Sequence, residues 1–437
     1  MLGVLQNRTY RHLFLAQVIA LIGTGLATVA LGLLAFDIAG PEAGAVLGTA
    51  LAIKMIAYVG IAPIAGAFAE VLPRRALLVV LDLVRAAVAI CLPFVTEIWQ
   101  VYVLIFVLQS ASAAFTPTFQ ATIPEVLPDE KDYTRALSLS RLAYDLESLV
   151  SPMLAAALLT VISFHSLFGG TVIGFLASAS LVVAVVLPAP AKTERRSIYE
   201  RTTRGLRLYL ATPRLRGLLA ICLAVSAAGS MVIVNTVVIV QSTFGLPQES
   251  TALALAAFGG GSMLAALVLP KLLETVPDRP VMLTGTAILI AGLLAASAIS
   301  SFAALLPLWL LLGIGYSIAQ TPSGRLLRRS AQPQDRPALF AAHFALSHAA
   351  WLVTYPLAGW LGATIGLSST ALCLALLAAS GLVIAMVLWP SNDMMEIAHD
   401  HGDLPADHPH LAEGTRSGGH RHKHAFVIDG LHPQWPR

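Results

Sequence analysis

Apolar stretches of about 20 residues, separated by short polar segments, recur along the chain as far as residue 390. An α-helix needs about 20 apolar residues to cross the hydrocarbon core of a bilayer. The pattern therefore predicts an all-α polytopic membrane protein with twelve transmembrane helices. The predicted spans cover residues 13–36, 45–69, 76–96, 98–120, 137–162, 166–188, 215–241, 250–272, 280–300, 303–324, 337–363 and 366–389.

The composition agrees with a membrane location. Apolar residues make up 57% of the chain and charged residues 12%, about half of the charged share usual in soluble proteins. The lipid bilayer is therefore the expected main partner, and we expect a monomer without a nucleic-acid partner. Cys91, Cys222 and Cys373 stand singly in apolar segments, which indicates neither a disulfide framework nor a cysteine metal site.

Lysine and arginine residues are distributed unevenly over the loops. They occur in the loops after spans 2, 4, 6, 8 and 10, whereas the loops after the odd-numbered spans contain none. Positively charged loops stay on the cytoplasmic side of a membrane. The distribution therefore predicts that both termini are cytoplasmic.

An internal repeat divides the predicted spans into two sets of six. Residues 70–75 are echoed 204 residues later by residues 274–279, and Pro152 is echoed at the same offset by Pro356. A shared register of charged residues and prolines predicts two pseudo-symmetric six-helix bundles. The expected domains are residues 1–188, a cytoplasmic linker at 189–214, a second bundle at 215–390 and a tail at 391–437.

Eight of the twelve histidines lie in the tail, in repeated His-x-His units interleaved with aspartates. Imidazole is a common ligand of nickel, cobalt, zinc and copper, so the pattern predicts a cytosolic tail that binds one of these metals. Its proline, glycine and charge content predicts a disordered segment, and a solvated tail without a metal function fits that content equally well. A purification tag fits less well, because tags are normally contiguous. The candidate ligands are His399, His401, His408, His410, His420, His422, His424 and His432.

Span 5 carries the richest set of charged residues inside the predicted membrane region. Arg141 and Asp145 are spaced i, i+4 and can pair on one helix face, while Glu147 lies near the midplane. Ionisable residues at this depth are usually functional, so Glu147 is the leading candidate for proton coupling, where metal and proton compete for the carboxyl group. The alternative is a salt-bridge network centred on Arg141 that holds span 5 against its neighbours.

Span 11 contains His343 and His348. A spacing of five residues separates them by about 140 degrees on an ideal helix, so we expect that they do not chelate one ion and that at most one lines the pathway. His348 is nearer the midplane and is the better candidate; a hydrogen-bonded structural histidine is the alternative. Asp37, at the outer end of span 1, either receives an exiting cation or marks the membrane interface.

The loop after span 2 resembles the signature of the major facilitator superfamily of secondary transporters, although Glu70 replaces its Asp and Pro73 replaces its second Gly. The resemblance implies the twelve-helix fold of that superfamily and a cytoplasmic gate latch. Asp82 and Arg85, which lie about one helical turn apart in span 3, are expected to join the ion pairs of this latch. A packing and topology role alone is the alternative. The gate candidates are Gly66, Glu70, Arg74, Arg75, Asp82 and Arg85.

Two further segments resemble particular branches. Residues 10–14, with Gln17 and residues 23–25, are similar to the branch that contains enterobactin exporters. Residues 424–436 resemble the tails of NreB-type nickel-resistance permeases. The second resemblance implies export of nickel or cobalt from the cytoplasm across a bacterial inner membrane, driven by proton entry, with metal resistance as the result.

No enzyme signature occurs in the sequence. It has no phosphate-binding loop, nucleophile elbow or His-Glu-x-x-His motif, so we expect a secondary transporter rather than an ATP-driven pump or an enzyme, with no cofactor. The favoured interpretation is a proton-coupled exporter of divalent metal ions that works by alternating access. The alternatives are an exporter of an organic molecule, such as a drug or siderophore, and a membrane-anchored metal sensor.

Overall fold

The computed structural model describes residues 2–39, 43–69, 71–188, 197–393, 396–400, 405, 410, 415–418, 421–429, 431–432 and 435. These residues form fourteen α-helices and three strands. The helices are α1 (Arg8–Ala39), α2 (Ala43–Ala69), α3 (Arg74–Cys91), α4 (Ile98–Val126), α5 (Glu130–Leu159), α6 (Phe164–Val183), α7 (Ile198–Ala211), α8 (Pro213–Val237), α9 (Gln248–Leu272), α10 (Asp278–Ala296), α11 (Phe302–Gln320), α12 (Ser323–Arg329), α13 (Arg336–Ile365) and α14 (Leu367–Leu388). The strands are β1 (Glu396–Asp400), β2 (Thr415–Gly418) and β3 (Arg421–Ala425).

The predicted fold class is confirmed. Eleven helical segments in the described part of the chain are long and apolar enough to cross a membrane. The twelfth predicted span is α5, a helix of 30 residues that is not among the eleven and that carries the charged residues of span 5. It packs against α1 and α9, so these charges lie between helices rather than only against lipid.

The two halves of the molecule use the same helix packing. In the first half α1 packs on α6, α2 on α4 and α3 on α6; in the second half α8 packs on α14, α9 on α11 and α10 on α14. The halves meet where α2 packs on α13 and α5 packs on α9. These pairs correspond to each other in the repeat, so the same interface is built twice.

One part of the repeat differs between the halves. Pro117 lies inside the continuous helix α4, whereas Pro322 separates α11 from the short helix α12. Proline lacks a backbone N–H and tolerates the first positions of a helix better than its interior. The break brings the basic residues of α12 to the end of the bundle at which α1 begins and α14 ends. We call this end the terminus side.

The linker contributes an amphipathic helix. Ser197 begins α7 as an N-cap, since its hydroxyl accepts a hydrogen bond from the Glu200 N–H at 3.2 Å. The helix packs against both α2 and α13. Its buried residues Leu208 and Tyr209 belong to the core of the second half. The linker therefore contacts both halves on the terminus side.

The described part of the tail contains a small sheet, which the sequence did not predict. The three strands are antiparallel in the order β1-β3-β2, with His399 opposite His422. Lys423, on the other face of β3, lies 3.5 Å from the carboxylate of Glu396. The next residues, Phe426 and Ile428, are buried in the hydrophobic core that contains Leu208 and Tyr209. The sheet is therefore followed by a segment that is fixed on the body of the protein.

Candidate functional site

A cavity of about 390 Å³ lies between the two halves. Helices α1, α2, α4 and α5 of the first half and α11, α12 and α13 of the second contribute to its wall. Most of its lining residues belong to the terminus-side parts of these helices. Its polar lining residues include Gln17, Lys54, Tyr58, Gln120, Ser140, Arg141, Tyr144, Gln320, His343, Ser347 and His348.

Arg141 connects the two halves at this cavity. Its guanidinium binds Asp145 on the same helix at 2.5 Å, so the predicted i, i+4 ion pair is present. The Nε–H also donates to the hydroxyl of Ser262 on α9 at 3.0 Å, and the guanidinium lies 4.6 Å from the ring centre of Tyr316 on α11. A partly buried charge with this many partners couples the position of α5 to the positions of α9 and α11.

Glu147 does not line this cavity. It is partly exposed and lies one turn beyond Tyr144 along α5, farther from the terminus side. The backbone of Gly25 on α1 approaches it so closely that a Cβ atom there would lie 2.8 Å from the Glu147 carboxylate. Lys54 on α2 is the charged residue that interacts with Glu147 electrostatically. Glu147 therefore lies next to the cavity, farther from the terminus side than Arg141 and its contacts with α9 and α11.

Both span 11 histidines line the cavity, whereas we expected at most one of them to line the transport pathway. The cavity follows α13 over more than one turn, and its wall therefore includes side chains that point in different directions. The His343 Nδ1 lies 3.1 Å from the hydroxyl of Tyr209 on α7. The His348 Nδ1 donates to the Phe344 carbonyl at 2.7 Å, and its ring packs against Tyr58.

The hydrogen bond of His348 has a chemical consequence. Because a carbonyl oxygen only accepts hydrogen bonds, the proton of a neutral His348 ring resides on Nδ1 and Nε2 keeps its lone pair. Metal-binding histidines commonly have this arrangement, with the second ring nitrogen bound to a carbonyl or carboxylate. Asp37, in contrast, is exposed near the end of α1 and does not line the cavity.

Each half has an ion pair of its own at the terminus side. Arg74, at the start of α3, pairs with Glu125 on α4. In the second half Asp278, at the start of α10, binds Arg329 on α12 at 2.7 Å and Arg325 at 3.1 Å. Asp278 and Arg329 follow Arg74 and Glu125 by 204 residues each. The repeat therefore contains the same ion pair twice, with the charges exchanged.

Contacts across the halves surround these ion pairs. Arg325 reaches Glu130 of the first half at 2.7 Å, and Arg328 donates to the Pro128 carbonyl. Gly66 allows α2 to approach α13, since a Cβ on it would lie 2.7 Å from the Ala341 side chain. In this conformation the terminus side is closed.

The predicted extension of the gate network to span 3 is not what the structure contains. Asp82 pairs with Arg85 on its own helix, accepts a hydrogen bond from Ser178 of α6 at 2.8 Å and is buried. It is separated from Arg74 by eight residues, or about 12 Å along the helix axis. The Asp82–Arg85 pair therefore joins α3 to α6 within the first half. Arg75 is exposed, and Glu70 lies outside the described residues.

The tail sheet brings several histidines together. One nitrogen from each of His410, His424 and His432 lies within 4.8 Å of the others. The His422 ring centre is 4.7 Å from that of His410. His422 and His424 are alternate residues of β3 and therefore share a face of the sheet. The backbone of His399 lies on β1 opposite His422, while His401, His408 and His420 lie outside the described residues.

Asp429 orients one member of this cluster. Its carboxylate lies 2.8 Å from the His432 Nδ1. Burial alone would raise the pKa of Asp429, but hydrogen bonds from the His432 ring and from the His432 and Leu431 N–H groups outweigh burial and lower that pKa. A neutral His432 ring that donates from Nδ1 has its lone pair on Nε2, and a carboxylate that orients the ring in this way is common among metal-binding histidines.

Several residues of these sites were not singled out from the sequence. Tyr58 and Tyr316 were indistinguishable from packing aromatics, and Arg325 and Arg329 were interpreted only as topology signals. Asp278 belongs to the repeated segment, and its offset of 204 residues from Arg74 is the signal from which an ion pair with exchanged charges could have been found. Asp429 follows the histidine run, and no spacing rule links it to His432.

The sequence model of the Major Facilitator Superfamily matches residues 13–247 and 219–406. The uncharacterized MFS-type transporter YfiS of Bacillus subtilis (strain 168) is 28% identical over 268 residues, which are 59% of this chain and 62% of YfiS. Macrolide efflux protein A of Streptococcus pyogenes is 27% identical over 150 residues, 32% of this chain and 36% of that protein.

Two solved structures have a similar fold. The human organic anion transporter MFSD10 (TETRAN) superposes with a TM-score of 0.76 at 12% identity, covering 87% of this chain and 99% of the other. A bacterial homologue of the iron transporter ferroportin, in its outward-facing state, superposes with a TM-score of 0.73 at 14% identity, with coverages of 87% and 99%. At these identities the similarity concerns the fold.

Proposed function

Because the chain belongs to the Major Facilitator Superfamily and is thus a multi-pass membrane transporter, we propose that it exports divalent transition-metal cations, nickel or cobalt, from the cytoplasm. Transport is by alternating access of the two halves, coupled to proton entry. The protein acts as a monomer in the cytoplasmic membrane of a bacterium, with both termini inside the cell. It needs no cofactor, and export confers metal resistance.

The observation that carries the choice of metal is the cluster of His410, His424 and His432. Three imidazole nitrogens within 4.8 Å of one another match the ligand type that nickel, cobalt and zinc prefer. His348 supports a second, weaker metal contact, since its Nε2 is free to bind a passing ion in the cavity. The tail cluster raises the metal concentration near the pathway, and the cavity carries the metal across.

Proton coupling is assigned to Glu147, with Lys54 as its charged neighbour. Glu147 lies beyond the Arg141 bridge, so a proton that arrives there from the outer side meets the carboxylate before it meets the cavity. A proton on Glu147 removes its attraction for Lys54 and changes the charge next to α1 and α2. The Arg141 contacts to Asp145, Ser262 and Tyr316 then transmit the change to the second half.

The direction of transport rests on two supports. One protein with a related sequence is named for macrolide efflux. A histidine tail in the cytosol would collect ions on the side from which an exporter loads. We therefore favour export over import.

A second candidate is export of an organic molecule, such as a drug or a siderophore. It is favoured by the presence of both Lys54 and Arg141 in the cavity wall, since two cationic side chains oppose the entry of a metal cation and suit an anionic substrate. Tyr58 and Tyr144 add aromatic surface of the kind that lines sites for organic ligands.

The test is metal uptake into inside-out membrane vesicles under an imposed proton gradient. Nickel, cobalt and zinc are compared with and without a protonophore, and vesicles that contain the Glu147→Gln variant serve as the matched control. We expect nickel or cobalt accumulation that the protonophore abolishes. If no metal moves although the inserted protein still binds metal through its tail, the metal-export proposal is wrong, and an organic exporter or a metal sensor replaces it.

A further inference from the structure

The metal cluster and the closed terminus side are connected by a few residues of the chain. Residues 426–428 follow β3 directly, and all three are buried. We call them the docking segment. His424 of the cluster lies two residues before it and His432 four residues after it, so the docking segment is flanked by metal ligands on both sides.

Val427 of the docking segment lies at the junction of the two halves. It lines a cavity of about 250 Å³ together with Glu130 and Tyr133 of the first half and Arg325 and Arg328 of the second. Arg325 and Arg328 make the contacts across the halves that close the terminus side. Val427 therefore lies at the same cavity as the residues that connect the two halves on the terminus side.

The neighbouring residues fix the segment on the linker and the second half. Ile428 and Asp429 line a further cavity, of about 200 Å³, together with Arg204 and Arg207 of α7. Farther along the tail, the Arg214 guanidinium lies 4.8 Å from the ring centre of Trp435. Arg204 in turn binds Asp335, just before α13, at 2.5 Å. The tail thus lies against the linker helix α7 and against the start of α8 in the second half.

We propose that a divalent transition metal bound by His410, His424 and His432 latches the docking segment onto the closed gate and stabilises the conformation in which the terminus side is shut. A ligand stabilises the conformation in which its site is already formed. A metal that joins His424 and His432 also closes the loop around the docking segment and lowers the entropy of the undocked tail.

The latch deepens the proposed function, on which it rests only for the class of metal. It assigns the tail a regulatory role: a metal ion bound to the tail favours the outward-facing conformations of the transport cycle. It requires neither that metal crosses the membrane nor that Glu147 exchanges a proton. Its failure and the failure of metal export are therefore distinguishable.

The experiment measures the gate directly in the full-length protein, reconstituted in lipid nanodiscs. Lys131 and Glu274 are exposed residues on the terminus side of the first and second halves. Spin labels are attached at Lys131→Cys and Glu274→Cys in a background in which Cys91, Cys222 and Cys373 are replaced by alanine. Zinc is the probe because it is diamagnetic. Zinc binding is measured by calorimetry, and the label distances by double electron–electron resonance.

We expect zinc to raise the ratio of closed to open populations by at least about fivefold, the lower end of usual allosteric couplings. A variant with His410, His424 and His432 all changed to alanine should lose the tightest zinc site and the shift together. The matched control, His12→Ala with His165→Ala, removes two histidines outside the tail and should change neither. Val427→Lys, which places a cation beside the gate arginines, should keep zinc binding and lose the shift.

Two outcomes would overturn the proposal. One is a triple-histidine variant that binds zinc as tightly as the unmodified protein, which would remove the site. The other is tight zinc binding to the unmodified protein without any change in the label distances, which would leave a metal site without a latch. Neither outcome depends on a transport assay.

Discussion

The two halves of this protein share a scaffold and differ in charge. Arg74 and Glu125 of the first half and Asp278 and Arg329 of the second occupy equivalent positions, and in each half one charge at the start of a helix is bound by the opposite charge from a neighbouring element. The sign is exchanged between the halves. The comparison teaches that the repeated fold determines where an ion pair can form, while the individual residues decide which partner is positive.

The central helices of the halves differ more strongly. On α5, Arg141, Tyr144 and Glu147 supply charge and a phenol; the residues 204 positions later on α13 are Ala345, His348 and Trp351. The first half therefore contributes the ionisable groups beside the cavity and the second half contributes the imidazoles. Under the proposed function, a passing ion would meet imidazoles on one side and the proposed proton-coupling groups on the other.

The largest expected effect is that of a substitution in the first half, which contributes the ionisable groups beside the cavity. Glu147→Gln replaces the proposed proton-exchanging acid by an amide that cannot exchange a proton, so we expect proton-driven transport to be abolished. Vesicle uptake under a proton gradient measures this loss, and calorimetry should find tail metal binding unchanged. Normal transport by Glu147→Gln would move the coupling site elsewhere, with Asp145 the next candidate.

Substitutions in the two ion pairs at the terminus side test whether the pairs with exchanged charge contribute equally to stability. Asp278→Asn leaves Arg325 and Arg329 without their shared carboxylate, and removing one partner of a buried pair typically costs about 3–5 kcal/mol. Glu125→Gln removes the carboxylate of only one arginine, Arg74, and Glu125 is more exposed than Asp278, so this change should cost less. Thermal unfolding in detergent compares the two variants. Equal stabilities would mean that the two pairs are equivalent despite their different numbers of partners.

The tail cluster depends on the orientation of His432. Asp429→Asn replaces the carboxylate that holds this ring, and loss of such an orienting partner commonly lowers metal affinity by about 10-fold or more. Nickel titration calorimetry of the full-length protein measures the change. The matched control is the Asp400→Asn variant on β1, in which the nickel affinity should stay constant. An equal loss of affinity in both variants would indicate a general effect of charge.

Removal of the tail should affect transport less than any change in the cavity. Truncation after Asp393 keeps the hydrogen bond from the Trp389 indole to Asp393 at 2.9 Å and the contact of Asp393 with Arg214. We expect the nickel concentration required for half-maximal transport to rise while transport persists. Complete loss of uptake in a correctly inserted truncated protein would mean that the tail is part of the pathway.

The smallest effect concerns acid pH. The pKa of Asp429 is lower in the folded protein than its ordinary value, so its pairing with His432 contributes stability that is fully present above the unfolded pKa of about 3.9 and is lost as the pH falls through the folded value. Hydrogen exchange of the residue 431 and 432 amides between pH 5 and pH 3 should report this loss, with protection falling at the acid end. Asp429→Asn should remove the pH dependence.

Much of the fold follows from the sequence because its signals are local and strong. A run of about 20 apolar residues must become a helix in lipid, since every backbone N–H and C=O group needs an internal partner there. The spacing of Arg141 and Asp145 along one helix likewise made their pairing predictable. The repeat indicated two equivalent halves, and equivalent helices pack alike in both.

The contacts that build the sites could not be predicted in the same way. Arg141 meets Ser262 across 121 positions and Tyr209 meets His343 across 134, and no local pattern encodes such distances. The expected extension of the gate ion pairs to Asp82 and Arg85 differs from the structure, because Asp82 pairs with Arg85 on α3 and with Ser178 on α6, whereas Arg74, about two turns away, pairs with Glu125 on α4. The tail strands are short and polar, and their pairing depends on the body against which residues 426–428 pack.

The sequence alone therefore determined the membrane class, the number of spans, the two-fold repeat and the concentration of histidines in the tail. Each of these depends on composition or on periodicity within a single segment. The tertiary structure decided which histidines meet, that the gate ion pair is repeated with exchanged charge, and that the tail lies against the gate. Those features depend on which surfaces are buried together, and burial is a property of the packed chain rather than of any segment in it.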